Sequence, residues 1–412
     1  MDSAPPRATC GLPQIDAQQP RLVLGISSGT SADGLDLALI RIQGAGLQRQ
    51  VDWIAGEVAP LQAQTRQAIR NAPQWGIADL AKWHYQLGHE FAELAAAFMA
   101  RQKVEFQRPD FVGSHGQTIY HHDGNHAHGT LQIADPALLA ARLGCAVVAD
   151  FRWNDLAVGG QGAPVSPFAD WVLHNQVGPE LVILNLGGIA NLTYLRGSRP
   201  PAAWDSGPAN GPLDALMQAG AGKNGVNGQE SPEFDVDGRL AASGQVLPEL
   251  LEQLKQDSFF QRPLPRSTGL ERFGKPLLKR IEQLSPDSSL ADRLRTCCAL
   301  AAWSVADSLS RGFADWGSQN GGRAPSAAEI SLPIYVCGGG GHNPVLLAEL
   351  QSALPRATFL NYSELHGNPD LREAQAFALL ADACFLAEFS AWPSTTGARQ
   401  PVILGKIVPS CI

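Results

Sequence analysis

The chain has 412 residues, 44% of them hydrophobic, more than one domain usually holds and ample for a large packed core. Its 31 basic and 39 acidic residues leave a net charge of −8, which argues against nucleic acid or an anionic membrane as the main partner but allows a local positive site for a phosphorylated ligand. Seven cysteines, Cys10, Cys145, Cys297, Cys298, Cys337, Cys384 and Cys411, are scattered without a C-x-x-C pair, so they suggest neither a zinc site nor a disulfide framework and suit a reducing cytoplasm.

Residues 1–20 are rich in Pro, Ala and Gln, lack the apolar segment of a signal peptide and read as a disordered extension. No stretch is apolar for long enough to span a bilayer. The first predicted strand is Leu22-Val23-Leu24, and a second apolar run resumes at Leu37-Ala38-Leu39-Ile40. Between them, Gly29-Thr30-Ser31-Ala32-Asp33-Gly34-Leu35-Asp36 presents hydroxyls and backbone N–H groups to an anion, because glycine lets the backbone approach closely. Asp33 and Asp36 add carboxylates that Mg²⁺ can use. A plain β-hairpin with a polar tip fits the same residues. Further on, Leu80, Trp83, Leu87, Phe91, Leu94 and Phe98 recur three or four apart, which predicts a long core-facing helix over Ile77 to Ala100.

A short strand at Phe111 then runs into a Gly113-Ser114-His115-Gly116 turn and out again, where His115, Gln117 and Thr118 are placed to donate to a sugar hydroxyl. The histidines between His121 and His128 read as a solvated loop, although four in eight residues also invite a metal reading. Ala146 to Ala149 is a buried strand ending in Asp150-Phe151-Arg152. Asp155 follows, with the glycine-rich loop Gly159 to Pro164. These residues suit a substrate pocket, or simply an ion pair of Arg152 with Asp150 or Asp155.

Leu181 to Leu186, the turn Gly187-Gly188 and a strand through Tyr194 repeat the grammar of the opening stretch and suggest two related halves. Asp205, before Ser206-Gly207-Pro208, is either a helix N-cap or a carboxylate held at a pocket rim. Ser289 caps a predicted helix from Leu290 to Trp316 in which Cys297 and Cys298 are core residues. The strand Ile334 to Cys337 ends in Gly338-Gly339-Gly340-Gly341-His342-Asn343, where a nucleotide base and ribose can lie flat against the backbone. An apolar helix from Glu373 to Phe389 and an irregular tail from Thr396 close the chain.

Six of these motifs, in order, resemble anhydro-N-acetylmuramic acid kinases. They are Gly29-Thr30-Ser31-x-Asp33-Gly34-x-Asp36, Gly113 to Thr118, Ala149 to Arg152 with Gly159 to Pro164, Asn185 to Gly188, Asp205 to Pro208 and Cys337 to Gly340. The match runs from about Leu22 to the tail. Departures are Ser27 where the family usually has Met, Ser206 where Cys is frequent, apparent insertions at residues 223–229 and around Asn320, and the N-terminal extension.

The resemblance implies a two-domain α/β fold of the actin-like ATPase type with an interdomain cleft. Residues 21–145 would form one domain and 146–370 the other, with the helix at about 373–390 packed back on the first and 391–412 as a tail. It implies a cytoplasmic kinase of cell-wall recycling that opens 1,6-anhydro-N-acetylmuramic acid with water and phosphorylates O6. Asp205 would be catalytic. ATP would meet Gly29 to Asp36, Asn185, Gly187 and Gly188 across the cleft, and Gly338, Gly339, Gly340 and Asn343. Sugar contacts would come from His115, Gln117, Thr118, Asp150, Arg152, Asp155 and Gly207, and Mg²⁺ would sit on Asp33. The expected partner is the small sugar, with a homodimer left open. The rival readings are an ordinary sugar or acetate kinase of the same superfamily and a non-catalytic actin-like ATP-binding module. A nicotinamide enzyme is disfavoured, because no G-x-G-x-x-G opens a helix after the first strand.

Overall fold

A computed structural model describes residues 12, 14–29, 34–121, 129–221, 234–316, 325–365, 368 and 371–410. Thr30, Ser31, Ala32 and Asp33 lie outside these residues, as do 122–128, 223–229 and the segment around 320. In chain order the strands are β1 Arg21–Ser28, β2 Gly34–Gln43, β3 Gln50–Pro60, β4 Phe111–His121, β5 Thr130–Ile133, β6 Ala146–Ala149, β7 Leu181–Leu186, β8 Ile189–Arg196, β9 Arg199–Pro208, β10 Pro333–Cys337, β11 Thr358–Asn361 and β12 Lys406–Val408. They form two sheets, one in each of two compact units.

The first unit holds the described residues up to Leu173 and those within Asp370–Pro393 and Ala398–Ile412. Its sheet runs β12-β6-β4-β1-β2-β3, with β5 paired to β4. The strands β1, β2 and β3 form an antiparallel meander, while β4 and β6 add in parallel beyond β1. The second unit, His174–Pro369 with Ser394–Gly397, repeats this plan. Its order is β11-β10-β7-β8-β9, an antiparallel meander followed by two parallel strands. The duplicated topology is the one an actin-like ATPase fold requires, and the two strand–glycine turn–strand units each open one copy of it.

Two differences from the sequence reading concern where the units divide. The division falls after Leu173 and not at 145/146, because β6 pairs with β4 and so stays with the first sheet. Residues 391–412 are not a plain tail: β12 pairs antiparallel with β6, and Ala391 bridges Val402. A third difference is local. The Gly113-Ser114-His115-Gly116 segment is no turn but the middle of the continuous strand β4, which takes a left-handed kink at Gly116 (φ +74°).

In the first unit, the helix Arg372–Phe385 lies against the sheet at very short range. Gly25 and Gly113 are register partners on adjacent strands, and a Cβ on either would overlap a helix carbonyl, Ala374 O at 1.8 Å or Phe377 O at 2.1 Å. The helix carries a carboxylate into this packing. Asp382 is fully buried and receives Arg21 Nε at 2.6 Å and Arg49 Nε at 2.8 Å. In the second unit the helix Leu290–Trp316 fills the equivalent role, with Gly312 set against the buried Trp204 of β9. Ser289 caps it by accepting the Asp292 N–H at 3.1 Å, and Cys297 and Cys298 lie in the core, where burial pushes both thiols well up, that of Cys298 to about 12.

Removing one member of a buried ion cluster leaves the other charges uncompensated, typically about 3–5 kcal/mol. Asp382→Ala should therefore lower stability by about that amount, read as an earlier urea or thermal transition, whereas Arg101→Ala at the exposed Arg101–Glu57 pair should change it by under about 1 kcal/mol.

Candidate active site

In the second unit, Asp205 lies inside β9, opposite Asn191 of β8, so it is not the cap of the helix Asn210–Ala221. Strand alternation explains its setting. Trp204 and Ser206 point into the core, Ser206 donating to Ala190 O at 3.0 Å, and Asp205 faces the other side. The loop that carries Arg266, Ser267 and Thr268 holds it there. Asp205 N–H donates to Arg266 O at 2.9 Å, and Thr268 N–H donates to Asp205 Oδ2 at 2.8 Å. Burial pushes the carboxyl up to about 7, helped by the nearby Glu271, against the opposing pull of Thr268, Arg266 and Ser267. Nothing in the sequence of the Pro-rich loop gave it this role. The signal, a Ser-Thr pair able to offer N–H groups, is too common to read alone.

The turn Gly187-Gly188 is tied to the start of the same helix, with Asn210 N–H donating to Gly187 O at 2.9 Å and Asn210 Nδ2 to Leu186 O at 3.0 Å. Gly338, at the end of β10, has φ +80°, and a Cβ there would overlap Asn185 Oδ1 at 2.6 Å and Leu186 O at 2.8 Å, so this position needs glycine. Asn185, Gly187, Gly188, Gly338 and Gly340 therefore come together. Beside them Gly339 forms part of the wall of a cavity of about 470 Å³, together with Asn210, Asp214, Asp235 and Asn343. That size is within the range of small-molecule sites. Asn343 also caps the helix Pro344–Ala353, accepting from Val345 N–H at 3.0 Å and Leu346 N–H at 3.2 Å. Asp214, which burial pushes up to about 6, and the exposed Phe234 at the cavity were not singled out from the sequence, because neither stands in a glycine motif. Gly207 is packed under Ser304 and Phe260, whose atoms a Cβ would meet at 2.9 and 3.0 Å.

In the first unit, Gln117 is fully buried and ties β4 to the end of β1. Its Oε1 accepts from the Ser28 hydroxyl at 2.7 Å and its Nε2 donates to Gly29 O at 3.1 Å. Gly34, Leu35 and Asp36 are the first residues of β2. His115 stacks on Phe377 of the C-terminal helix at 4.6 Å and accepts from Arg152 Nε at 3.0 Å; Arg152 Nη1 donates to Gly162 O at 2.9 Å. Burial, with Arg152 adding to it, holds His115 well below the usual imidazole range and so neutral. Thr118 Oγ1 accepts from Gln132 Nε2. Asp155 Oδ2 accepts Gly162 N–H at 2.7 Å beneath the glycine loop, and Asp150 (φ +58°) pairs with Lys406. One contact went unnoticed in the sequence: the Ser27 hydroxyl donates to Glu373 Oε2 at 3.2 Å, joining residues far apart in the chain. Among the described residues no group of three or more His, Cys, Asp or Glu is placed to hold a metal ion, and Asp33 lies outside them. No helix among them is long and apolar enough to cross a membrane.

The duplicated topology, with a partly buried carboxylate and a cavity lined by Gly339 in one copy, defines the class: an α/β protein of the actin-like ATPase fold. The family can then be stated. The sequence profile of the anhydro-N-acetylmuramic acid kinases matches residues 21–410, and the chain belongs to that family. It is thus a phosphotransferase with an alcohol group as acceptor. A curated anhydro-N-acetylmuramic acid kinase of Caldanaerobacter subterraneus is 34% identical over 95% of this chain and 97% of its own length. Relatives of the same name in Pseudomonas putida and Gloeobacter violaceus are 37% and 35% identical, covering 94% and 95% of this chain and 99% of each relative. Among solved structures, an activator of 2-hydroxyisocaproyl-CoA dehydratase from Clostridium difficile, with bound ADPNP, superposes at a TM-score of 0.39 with 10% identity, covering 89% of this chain and 96% of that one. At that score the likeness adds nothing to the strand topology.

The Asp205 carboxyl titrates near 7 folded and near 3.8 unfolded, so the folded state takes up the proton first. Its contribution to stability is fully present below about pH 4 and lost as pH rises through 7. Asp205→Asn should accordingly melt at a higher temperature than the wild type at pH 8, and the gap should close as pH falls from 7 to 4. A gap that does not change with pH would refute the shifted carboxyl.

Proposed function

We propose that this chain opens 1,6-anhydro-N-acetylmuramic acid with water and phosphorylates the freed O6, with Asp205 as the general base. One observation carries the assignment of the base: Asp205 is a strand carboxylate fixed by a backbone N–H and pushed up to about 7 by burial. A base is most useful when it titrates near the working pH. At neutral pH such a carboxylate is ready to take a proton, and the loop 266–268 keeps it from rotating away.

The step balances as follows. Water attacks C1 and gives its proton to Asp205, while the C1–O6 bond breaks with its electron pair on O6. O6 then bonds to the γ-phosphorus as the β–γ bridge bond of ATP breaks and ADP leaves. The proton on Asp205 passes to solvent before the next cycle. Phosphoryl transfer asks mostly for positioning and neutralisation of charge. We assign phosphate binding to the segment Gly29 to Asp36 of the first unit, whose described end Gln117 anchors through Ser28 and Gly29, and count Asn185, Gly187 and Gly188 of the second unit as further ATP contacts. The nucleoside belongs in the 470 Å³ cavity, where Gly339 leaves room for a flat group and Asp214 would meet the ribose hydroxyls. Mg²⁺ would neutralise the phosphates, with Asp33 as its expected ligand. His115 does not act as a base in this reading, because its Nε2 already accepts from Arg152; the pair positions the Arg152 guanidinium for the sugar. We place the protein in the cytoplasm, where ATP and reduced thiols are both available.

The mechanism predicts where solvent oxygen ends up. Product formed in ¹⁸O-labelled water and quenched early should carry the label at the C1 hydroxyl and none between C6 and phosphorus, against a product-only exchange control. Asp205→Asn should lower turnover by about 10²–10⁴. Label between C6 and phosphorus, or none at C1, would favour an ordinary kinase.

Gly339, in the cavity wall, and its buried neighbour Gly340 should differ. A Cβ on Gly339 has nothing nearer than Asn210 Nδ2 at 3.7 Å, whereas one on Gly340 meets Leu186 Cβ at 2.7 Å. Gly339→Val should raise the KM for ATP about tenfold or more with little change in melting temperature or in the KM for sugar. Gly340→Val should lower the melting temperature. An unchanged ATP KM in Gly339→Val would remove the nucleoside from this cavity.

A further inference from the structure

The loop that holds Asp205 also carries a buried cation. Arg266 is 3% exposed, and its guanidinium is held by main-chain oxygens, with no ion pair among the described residues. Nε donates to Asp205 O at 3.3 Å and Nη2 to Ser206 O at 3.1 Å. Nη1 donates to Phe260 O at 2.9 Å and Phe259 O at 3.2 Å. The guanidinium carbon lies over the buried Phe259 ring, 4.4 Å from its centroid.

Two features of this arrangement point at Asp205. One is grip. Two of the four carbonyls belong to Asp205 and the residue after it, and Arg266 O accepts the Asp205 N–H at 2.9 Å, so one residue holds both backbone groups of position 205. The planar fork of arginine can meet four carbonyls at once, which a lysine ammonium cannot. The other feature is charge. Carbonyl dipoles and an aromatic face offset the desolvation of a buried cation but do not cancel its charge.

The charged groups around the pair are few. Asp205 is faced by Arg266, by Glu271 from the helix Leu270–Phe273, and by Thr268 and Ser267 of its own loop. Arg266 is faced by Arg311 and Asp307 of the helix Leu290–Trp316, by Asp205 and by Arg262. Asp307 has a nearer partner, with Oδ2 3.8 Å from Arg311 Nη1. Among the described residues, Arg266 is the cation that acts on Asp205, and Glu271 is the anion that opposes it.

We propose that Arg266 is the positioning residue of the base: it fixes the backbone at Asp205 and Ser206, and its charge is the counterweight to Glu271 at the Asp205 carboxylate. The proposal rests on the base assignment above and deepens it.

Two substitutions separate grip from charge. Arg266→Lys keeps a cation and loses the fork, whereas Arg266→Gln keeps two donors and removes the charge. The titration of Asp205 is read without turnover, as the melting-temperature gap between each protein and the same protein carrying Asp205→Asn. The asparagine cannot ionise, so the gap widens with pH until the folded carboxyl is fully charged and then levels off. In wild type and in Arg266→Lys it should level off above about pH 7, and in Arg266→Gln about one pH unit higher. In turnover, Arg266→Lys should lower kcat about tenfold with the KM for ATP and for sugar nearly unchanged, because the base shifts while the binding groups stay.

A gap that levels off at the same pH in Arg266→Gln as in wild type overturns the positioning role and leaves the base reading standing. So does an Arg266→Lys enzyme with wild-type kcat, or one whose kcat and both KM values change together. If Arg266→Gln does not fold, that split of kcat from KM in Arg266→Lys decides. Wild-type turnover in Asp205→Asn removes the base reading and the positioning role with it.

Discussion

The close approach of the helix Arg372–Phe385 to the first sheet is the constraint on which much else depends. Helix and sheet touch through backbone, because Gly25 and Gly113 lack the Cβ that would collide with Ala374 O and Phe377 O. The helix meets this requirement with small residues, Ala374, Ala376, Ala378, Ala381 and Ala383. Contact at that range excludes water, so the one charge on the buried face, Asp382, has to be met by protein, and Arg21 and Arg49 meet it from β1 and from the segment before β3. The same seating places Phe377 against His115 and Glu373 beside Ser27. The polar end of the first sheet is thus built by residues from both ends of the chain, and it forms only when the helix is home.

In the second unit the decisive feature is a conflict. Asp205 sits on a strand whose neighbours Trp204 and Ser206 are locked into the core, and burial there disfavours its charge. Thr268 N–H compensates in part. The remaining penalty is a cost to stability and keeps the carboxyl close to the pH at which proton transfer is efficient, the kind of local strain that active sites retain.

The legible parts of the sequence were those with strong periodicity or glycine punctuation. Helices Ile77–Ala100 and Leu290–Trp316 were readable from their apolar stripes, and the hairpins β1–β2 and β7–β8 from apolar runs around glycine turns. The strand β3 was passed over because it lies at the sheet edge, where little of it is buried and no alternation is enforced. The segment 113–116 misled for the opposite reason: its Gly-Ser-His-Gly composition reads as a turn, yet β1 pairs with Gly113 and Ser114, β6 pairs with Gly113, and β5 takes up the strand from Gln117. The strand β12 has three residues, too few for any pattern.

The sequence by itself determined the family and the duplicated α/β plan and singled out Asp205 as a candidate, because those rest on ordered motifs and local apolar periodicity that one chain displays directly. Only the tertiary structure decided the states and neighbours of the functional groups. That Asp205 titrates near 7 depends on what buries it. That His115 is neutral and bound to Arg152 depends on a stacked helix from the far end of the chain. That Ser114 and Gln132 border one cavity depends on β5 folding back beside β4. Desolvation, pairing and cavity shape are sums over contacts distant in sequence, and the linear order of residues does not display them.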